Sequence, residues 1–204
     1  MYMKALIIID VQNDFCPGGA LAVHGGDEVV PVINAIIWKF NRVVATQDWH
    51  PANQISFALN HPGKKPFDEI DLNGYRQTLW PDHCVQGSRG ADFHPGLNTV
   101  LVDLIIRKGT SSDVDSYSAF LENDRKTKTG LDGYLSSIGA RELFICGLAT
   151  DYCVYYSAMD ARNFGFKTSV ILDACRGIDM PVGTVARVVD EMRNAGIQII
   201  ESGA

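Results

Sequence analysis

Three polar side chains that could perform nucleophilic chemistry follow apolar runs of this sequence. Asp10 closes the run ALIIID, Lys108 follows LIIR, and Cys153 lies shortly after ELFIC. A cysteine beside a base can attack a carbonyl carbon, and a lysine can balance the charge of that base. Taken singly, each residue is as readily a strand-end cap, a solvated turn lysine or a buried structural thiol. Their catalytic value depends on whether the fold brings them together.

A second group of residues has the composition of a metal site. Asp48 and His50 are two positions apart in TQDWH, so an extended chain directs both side chains to one face. His83, in WPDH, could supply a third ligand. Two imidazoles and one carboxylate suit one divalent ion (Zn, Fe or Mn) and leave positions for water. The D-x-H spacing is weak by itself, because hydrogen-bonded or surface histidines are commoner than ligands. We assign that ordinary role to the remaining histidines, His24, His61 and His94.

Short apolar segments rich in β-branched residues predict the strands that would position these groups. Segments with helical periodicity separate them. Alternation of this kind predicts an α/β fold: a doubly wound, mainly parallel six-stranded sheet with helices on both faces, Rossmann-like in architecture. The six predicted strands are 5–9, 42–46, 100–106, 142–146, 167–172 and 197–200.

Four helices are predicted from capping residues and apolar periodicity. The first begins behind Asp27 and the second behind Thr129, both good N-cap residues. A third runs from Asp151 to Gly165, and a fourth opens with Pro181. With these elements in place, Asp10 and Lys108 lie at the ends of strands, and Cys153 lies in the first turn of the third helix.

The predicted topology gathers the polar residues at one edge of the sheet. Ligands of open parallel sheets bind outside the carboxyl ends of the strands, so Asp10, Lys108 and Cys153 should converge. In the first turn of a helix, Cys153 would meet the positive end of the helix dipole, which lowers a thiol pKa and favours thiolate. Cys146, inside an apolar strand, is interpreted as a structural thiol.

The long segment at about 51–98 has no convincing strand or long amphipathic helix. It is rich in Pro, Gly, Asn and Asp, which is typical of loops. Its aromatic residues argue against disorder, and long loops in compact domains are commonly functional. We therefore expect an ordered metal-site insertion within a single domain spanning residues 1–204.

Composition excludes several classes of function. The 204 residues are 46% hydrophobic with a formal net charge of −6, which suits one core and offers no basic surface for nucleic acid or anionic membrane. Five cysteines without CxxC spacing favour a reducing compartment, and the N-terminus has no signal-peptide pattern, so we expect a cytoplasmic location. Neither GxGxxG nor GxxxxGK[ST] occurs, so a dinucleotide or nucleoside triphosphate is not expected. A small-molecule partner is expected, and a homo-oligomer stays open.

Five segments together resemble the successive signatures of the nicotinamidases within the isochorismatase-like hydrolases. They are DVQNDFCPGGALAV, TQDWHPANQISF, LWPDHCVQGSRGADFHPGL, RKG followed by DSYSAF, and GLATDYCV. They span residues 10–154, and the later strand and helix pattern also fits. The resemblance implies an amidohydrolase that converts nicotinamide to nicotinate and ammonia through a cysteine thioester, in NAD salvage, and that also accepts pyrazinamide.

The resemblance also implies a role for individual residues. Asp10, Lys108 and Cys153 would form the catalytic triad, and Asp48, His50 and His83 would be the metal ligands. The backbone N–H groups of Ala149, after a cis peptide, and of Cys153 would form the oxyanion hole. Phe15, Trp80, Tyr117 and Tyr152 would wall the substrate pocket, and Ser56 would hold a metal-bound water. Some relatives carry a further His or acidic ligand near the position of Gln54, so the number of ligands beyond three stays open.

Three other functions compete with this interpretation. Cysteine hydrolases of the same superfamily act on N-carbamoyl or maleamate-type substrates, but as a group they lack the Asp48, His50 and His83 set. Isochorismatase itself, a vinyl-ether hydrolase, would not require Cys153. A non-catalytic protein that has kept the fold would not need candidates at all three triad positions. Fold alone does not separate these possibilities.

Overall fold

Strand β1 (Met3–Ile9) lies in the middle of the main sheet. The computed structural model describes residues 3–72 and 74–203. Residues 5–9 of this strand are fully buried, because the strand is covered on both faces and has no polar side to turn towards solvent. Parallel neighbours pair with it on each side. Its last residue therefore delivers Asp10 to the interior of the molecule.

The main sheet contains six strands in the order β5-β2-β1-β6-β7-β8, and every pairing is parallel. This confirms the predicted doubly wound α/β sheet. The reversal of strand order beside β1 creates a crevice at the carboxyl ends of β1, β2, β5 and β6. The other strands of the sheet are β2 (Arg42–Asp48), β5 (Leu104–Lys108), β6 (Ala140–Leu148), β7 (Lys167–Arg176) and β8 (Gln198–Ile200).

Four α-helices flank the sheet, as the periodicity predicts. Helices α3 and α4 pack against each other, whereas α1 packs on β7 and α2 on β6. No helix within residues 3–72 and 74–203 has the length and apolar character needed to cross a membrane. The helices are α1 (Val29–Ile36), α2 (Leu131–Ser137), α3 (Tyr155–Asn163) and α4 (Thr184–Asn194).

Three predicted helix starts are wrong by a few residues. Asp27 lies inside a short 3-10 turn, Gly26–Glu28, that precedes α1, and Gly130 rather than Thr129 occupies the N-cap of α2. Helix α4 begins at Thr184 instead of Pro181. Its first turn is capped from a distance, since the Asp179 carboxylate accepts hydrogen bonds from two backbone N–H groups at the start of α4. Capping from a preceding loop has no local sequence pattern.

The expectation that residues 51–98 contain no strand is also wrong. Strands β3 (Glu69–Leu72) and β4 (Tyr75–Thr78) form an antiparallel two-stranded sheet apart from the main one. The Asn-Gly pair at positions 73–74 is a strong hairpin signal that predicts this element, and the short, half-exposed strands around it obscured it. The predicted strand at 100–106 instead begins at Leu104, after a 3-10 turn, because Val100 is 90% exposed and cannot belong to a buried strand.

Candidate active site

Asp10 leaves β1 in a left-handed conformation and turns its carboxylate into the crevice. Its φ is 47°, in a region that is uncommon for residues other than Gly, Asn and Asp. Oδ1 accepts a hydrogen bond of 2.6 Å from Thr46 Oγ1, and Oδ2 lies 2.9 Å from Lys108 Nζ. Among the described residues, Oδ2 receives no hydrogen bond of good geometry. That oxygen is therefore available to take a proton from a neighbouring group.

Lys108 connects the predicted triad and the predicted metal ligands. It is fully buried at the end of β5, and its ammonium forms ion pairs with the carboxylates of Asp10 and Asp48. It also donates to the Ser116 carbonyl at 2.9 Å and lies 3.5 Å from Cys153 Sγ. Burial alone would lower the pKa of Lys108, but the two carboxylates raise it well above its ordinary value, so the side chain stays cationic.

Cys153 lies between β6 and α3, near the position that the sequence predicts. A cis peptide joins Leu148 to Ala149, as the family resemblance implies, and a five-residue π-type turn (Thr150–Val154) then carries the cysteine into α3. Its Sγ lies within 4.8 Å of both the Asp10 and Asp48 carboxylates. The structure thus brings Asp10, Lys108 and Cys153 together.

The expected thiolate at Cys153 is not supported by the electrostatics of the site. Burial raises the thiol pKa well above its ordinary value, and the opposing effect of Lys108 is outweighed by burial together with Asp10 and Asp48. The residue is only 7% exposed, and two carboxylates lie beside it, so both its burial and its neighbours disfavour a negative charge on sulfur. The resting sulfur is a thiol that needs a base.

Asp10 has the pKa that such a base requires. Burial raises its pKa to about 6, with Lys108 opposing the rise and Asp48 adding to it. A carboxylate with a pKa near neutrality is ionised in the resting protein yet gains basicity relative to an exposed Asp. Burial thus prepares Asp10 to take a proton, and Lys108 keeps it from becoming permanently protonated.

Asp48, His50 and His83 lie close together, and the ion pair between Asp48 and Lys108 joins them to the triad. One ligand atom of each lies within 4.8 Å of the others, and all three residues are buried. The Asp48 carboxylate oxygen Oδ2 is 3.6 Å from His50 Nε2 and 4.0 Å from His83 Nε2. His50 Nε2 is a buried polar atom without a hydrogen-bond partner among the described residues. Separations of this size fit a small divalent ion between the three groups.

Backbone carbonyls orient both imidazoles. His50 Nδ1 lies 2.9 Å from the Gly109 carbonyl, and His83 Nδ1 lies 2.8 Å from the Pro81 carbonyl, so each ring can donate from Nδ1 and present Nε2 to the shared space. Gly109 is required for this approach, because a Cβ there would lie 2.4 Å from the His50 ring. The arrangement is that of metal-binding histidines.

Gln54 and Ser56 occupy different positions around this group. Gln54 Nε2 lies 3.2 Å from His50 Nδ1 and donates to the Gly109 carbonyl, so it packs on the side of the ring that faces away from the shared space. Ser56 Oγ is buried and has no hydrogen-bond partner among the described residues. Ser56 therefore keeps a free hydroxyl, whereas Gln54 supports the His50 ring.

One cavity is lined by Cys153 of the triad and by Asp48 and His83 of the Asp-His-His group. Its free space is about 330 Å³ only when the open solvent at its mouth is counted, and about 20 Å³ is open to the centre of a water molecule, so the cavity is narrow. Trp80 and Tyr152 meet edge to face at 4.8 Å on one wall, and Trp80 Nε1 donates to the Tyr117 hydroxyl at 3.1 Å. The lining residues are Phe15, Leu21, Asp48, Trp80, His83, Asp115, Tyr117, Ala149, Tyr152, Cys153 and Ile178.

Several residues of this site were not predicted from the sequence. Thr46, whose hydroxyl holds Asp10, is a polar residue inside a buried strand, which is a usable signal. Asp115 lines the cavity with its Oδ1 3.8 Å from His50 Nε2, and Leu21 and Ile178 complete the walls. These three lie in loops, where side-chain direction has no sequence period.

Comparison with known protein families agrees with the geometry. Residues 4–202 match the model of the isochorismatase domain, so the chain belongs to the isochorismatase family. The nicotinamidase of Acinetobacter baylyi is 52% identical over 198 residues, which cover 97% of this chain and 92% of the relative. The nicotinamidase of Escherichia coli is 48% identical and covers 95% of this chain and 92% of its own length.

Solved structures resemble the whole chain. A nicotinamidase and pyrazinamidase of Acinetobacter baumanii has a TM-score of 0.97 at 50% identity, covering 100% of this chain and 98% of that protein. PnC1 of L. infantum, in complex with nicotinate, has a TM-score of 0.86 at 42% identity, covering 99% and 94%. The pyrazinamidase of Pyrococcus horikoshii, in complex with zinc, has a TM-score of 0.79 at 38% identity, covering 97% and 98%.

Proposed function

We propose that this chain is a cysteine amidohydrolase that converts nicotinamide to nicotinate and ammonia, and that it also accepts pyrazinamide. The observation that carries this proposal is one cavity lined by the Cys153 thiol and by Asp48 and His83 of the Asp-His-His group, with the Asp10 carboxylate of raised pKa buried beside the thiol. Similarity to nicotinamidases over nearly the whole chain supports the substrate. A family match over residues 4–202 supports a single domain, and five free cysteines support a reducing, cytoplasmic location for NAD salvage.

The reaction begins with a proton transfer inside the triad. Asp10 takes the thiol proton of Cys153, and the thiolate attacks the carboxamide carbon to form a tetrahedral oxyanion. The backbone N–H groups of Ala149 and Cys153 would stabilise that oxygen, and donors of this kind contribute about 3 kcal/mol each in other enzymes. Protonated Asp10 returns the proton to the departing nitrogen, so ammonia leaves and a thioester remains.

Hydrolysis of the thioester uses the same groups in a second cycle. Asp10, again ionised, removes a proton from water, whose oxygen attacks the thioester carbon. Collapse of the second tetrahedral species breaks the C–S bond, and the proton returns from Asp10 to the Cys153 sulfur as nicotinate is released. Lys108 keeps its charge throughout and balances the negative charge that moves between Asp10, sulfur and oxyanion.

Asp48, His50 and His83 would hold one divalent ion (Zn, Fe or Mn), and the zinc complex of the Pyrococcus horikoshii relative supports that proposal. Such an ion would supply a Lewis acid that accepts the pyridine nitrogen and so orients the ring. Phe15, Trp80, Tyr117 and Tyr152 are proposed to hold the flat ring and exclude water. The carboxamide would then point towards Cys153.

Ammonia release from nicotinamide by the purified protein tests the proposed function. Rapid release that a chelator suppresses and added Zn²⁺ restores would support the amidase and metal proposals together. A protein that binds stoichiometric metal but releases no ammonia from nicotinamide or pyrazinamide contradicts the proposed substrate. N-carbamoyl and maleamate-type amides should then be assayed, since these are substrates of other cysteine hydrolases of this superfamily.

The pH dependence of kcat/KM should show an acidic limb governed by Asp10. Only the ionised carboxylate can take the thiol proton, and the ionised fraction increases as pH rises through its pKa of about 6. We therefore expect kcat/KM to fall about tenfold for each pH unit below that value. Initial rates across the acidic range measure it, and a limb near the ordinary pKa of Asp would contradict the burial effect.

Removal of His50 should separate metal binding from folding. We expect His50→Ala to lose the ion and to raise KM for nicotinamide, because two ligands cannot retain a divalent ion tightly. His61→Ala is the matched control, since the His61 ring is hydrogen-bonded to the Ile55 carbonyl, at 2.6 Å, and lies outside the cavity lining. Metal content after dialysis is the measurement. Full metal content in His50→Ala would show that the site lies elsewhere.

A further inference from the structure

On one side of β2, the backbone groups of its last residues have no neighbouring strand with which to form hydrogen bonds. Strand β1 pairs with β2 only as far as Ile8 opposite Ala45, whereas β2 continues to Asp48. On the β5 side the pairing reaches Lys108, whose carbonyl accepts a hydrogen bond from Trp49 N at 3.0 Å. The N–H and C=O of Asp48 point the other way, into a buried space that β1 has already left. Unpaired backbone groups in such a place are costly.

The side chain of Gln12 replaces the missing strand. Its Oε1 accepts from Asp48 N at 2.8 Å, and its Nε2 donates to the Asp48 carbonyl at 2.9 Å. The second N–H of the amide donates to the Ala91 carbonyl at 2.8 Å. Gln12 is fully buried, so all three bonds are shielded from water. A single amide thus fixes both backbone groups of one proposed metal ligand.

The precision of this contact matters because the Asp48 carboxylate serves two partners at once. One oxygen is bonded to Lys108, and the other faces the Nε2 atoms of His50 and His83. A small rotation of the Asp48 backbone would move both oxygens and disturb both contacts. Gln12 is also only two residues from Asp10, so it links the backbone of the triad base to that of the metal ligand.

We propose that Gln12 is a positioning residue for the metal centre, which holds the Asp48 carboxylate in its binding direction by completing the end of β2. This inference rests on the metal site of the proposed function. Gln12 belongs neither to the cavity lining nor to the Asp-His-His group, and it acts through the Asp48 main chain. Its removal should therefore weaken metal retention first and turnover only as a consequence.

Zinc affinity of Gln12→Met and Gln12→Glu, measured by competition with a chromophoric chelator, tests the proposal. Methionine fills the space and removes all three bonds, while a glutamate carboxyl can supply at most one of the two donated bonds. We expect both variants to bind Zn²⁺ about 10–100-fold more weakly than wild type. Gln86→Met is the matched control, because Gln86 Nε2 donates to the neighbouring Trp49 carbonyl from an exposed position. It should bind Zn²⁺ as wild type does.

Two further readouts distinguish positioning from a merely structural role. The visible spectrum of the Co²⁺-loaded protein reports ligand geometry and should change in Gln12→Met but not in Gln86→Met. Turnover by Gln12→Met should recover as free Zn²⁺ is raised, whereas turnover by Asp10→Asn should not. Recovery with added ion requires an intact triad and a weakened metal site.

The outcomes separate this inference from the function on which it rests. If wild type binds no Zn²⁺, the proposed metal site itself is wrong. If wild type binds Zn²⁺ and the folded Gln12 variants bind it equally well, the positioning role of Gln12 is rejected. Loss of folding in both Gln12 variants, measured by circular dichroism, would also reject it, since Gln12 would then be needed for the fold rather than for the metal centre.

Discussion

Cys153→Ala should abolish ammonia release from nicotinamide, with kcat reduced on the order of 10⁴–10⁶-fold. Among the described residues, the variant removes the one sulfur that lines the cavity, and Asp10 and Lys108 then have no nucleophile to activate. Binding should survive, because the cavity walls and the Asp-His-His group are unchanged. Single-turnover assays and calorimetric titration with nicotinamide measure the two properties separately.

Cys146→Ala is the matched control for the nucleophile. Cys146 is fully buried in β6, with its Sγ 3.9 Å from the Ile7 carbonyl, and it lies outside the cavity lining. Its removal should reduce stability by about 1 kcal/mol through a small cavity and leave kcat near that of wild type. Near-normal turnover by Cys153→Ala, or loss of turnover in a folded Cys146→Ala, would contradict the assignment of the nucleophile.

Lys108→Met should cause the largest combined loss of activity and stability. Without the ammonium, the Asp10 and Asp48 carboxylates would be buried side by side with no opposing charge between them. Breaking a buried ion pair in this way costs about 3–5 kcal/mol. The pKa of Asp10 should also rise, because Lys108 opposes the effect of burial, so the acidic limb of kcat/KM should move above pH 6. Urea unfolding and pH-rate profiles measure these effects.

An exposed ion pair provides the control for Lys108. Lys128 precedes α2, and its Nζ lies 2.6 Å from the carboxylate of Asp132 in the first turn of that helix; ion pairs near the surface contribute only about 0–1 kcal/mol. Lys128→Met should therefore leave activity intact and stability nearly so. The double variant Lys108→Met, Asp10→Asn should recover part of the lost stability, because it removes one unbalanced charge. No recovery would show that the destabilisation comes from packing rather than from charge.

Much of the fold was predictable because each strand carries its own signal. The central strand β1, buried on both faces, reads as a continuous apolar run, and Asp10 after β1 and Lys108 at the end of β5 reach the same edge of the sheet by topology alone. Short elements with mixed burial were harder. The hairpin β3–β4 is half-exposed, so its alternation is weak, and α4 is capped by Asp179 from a preceding loop.

Residue types and chain order determined which groups could do chemistry in this protein. An odd set of cysteines, a D-x-H spacing and polar strand ends are properties of the sequence itself, and the family resemblance added their proposed roles. The tertiary structure decided the protonation states of these groups and the contacts that hold them in place. The pKa values of Cys153 and Asp10 are both raised, because burial destabilises their charged forms by more than the Lys108 ammonium stabilises them. Gln12 meets Asp48 only because the pairing of β1 with β2 stops at Ala45, three residues before β2 ends, and that difference exists only when the strands lie side by side.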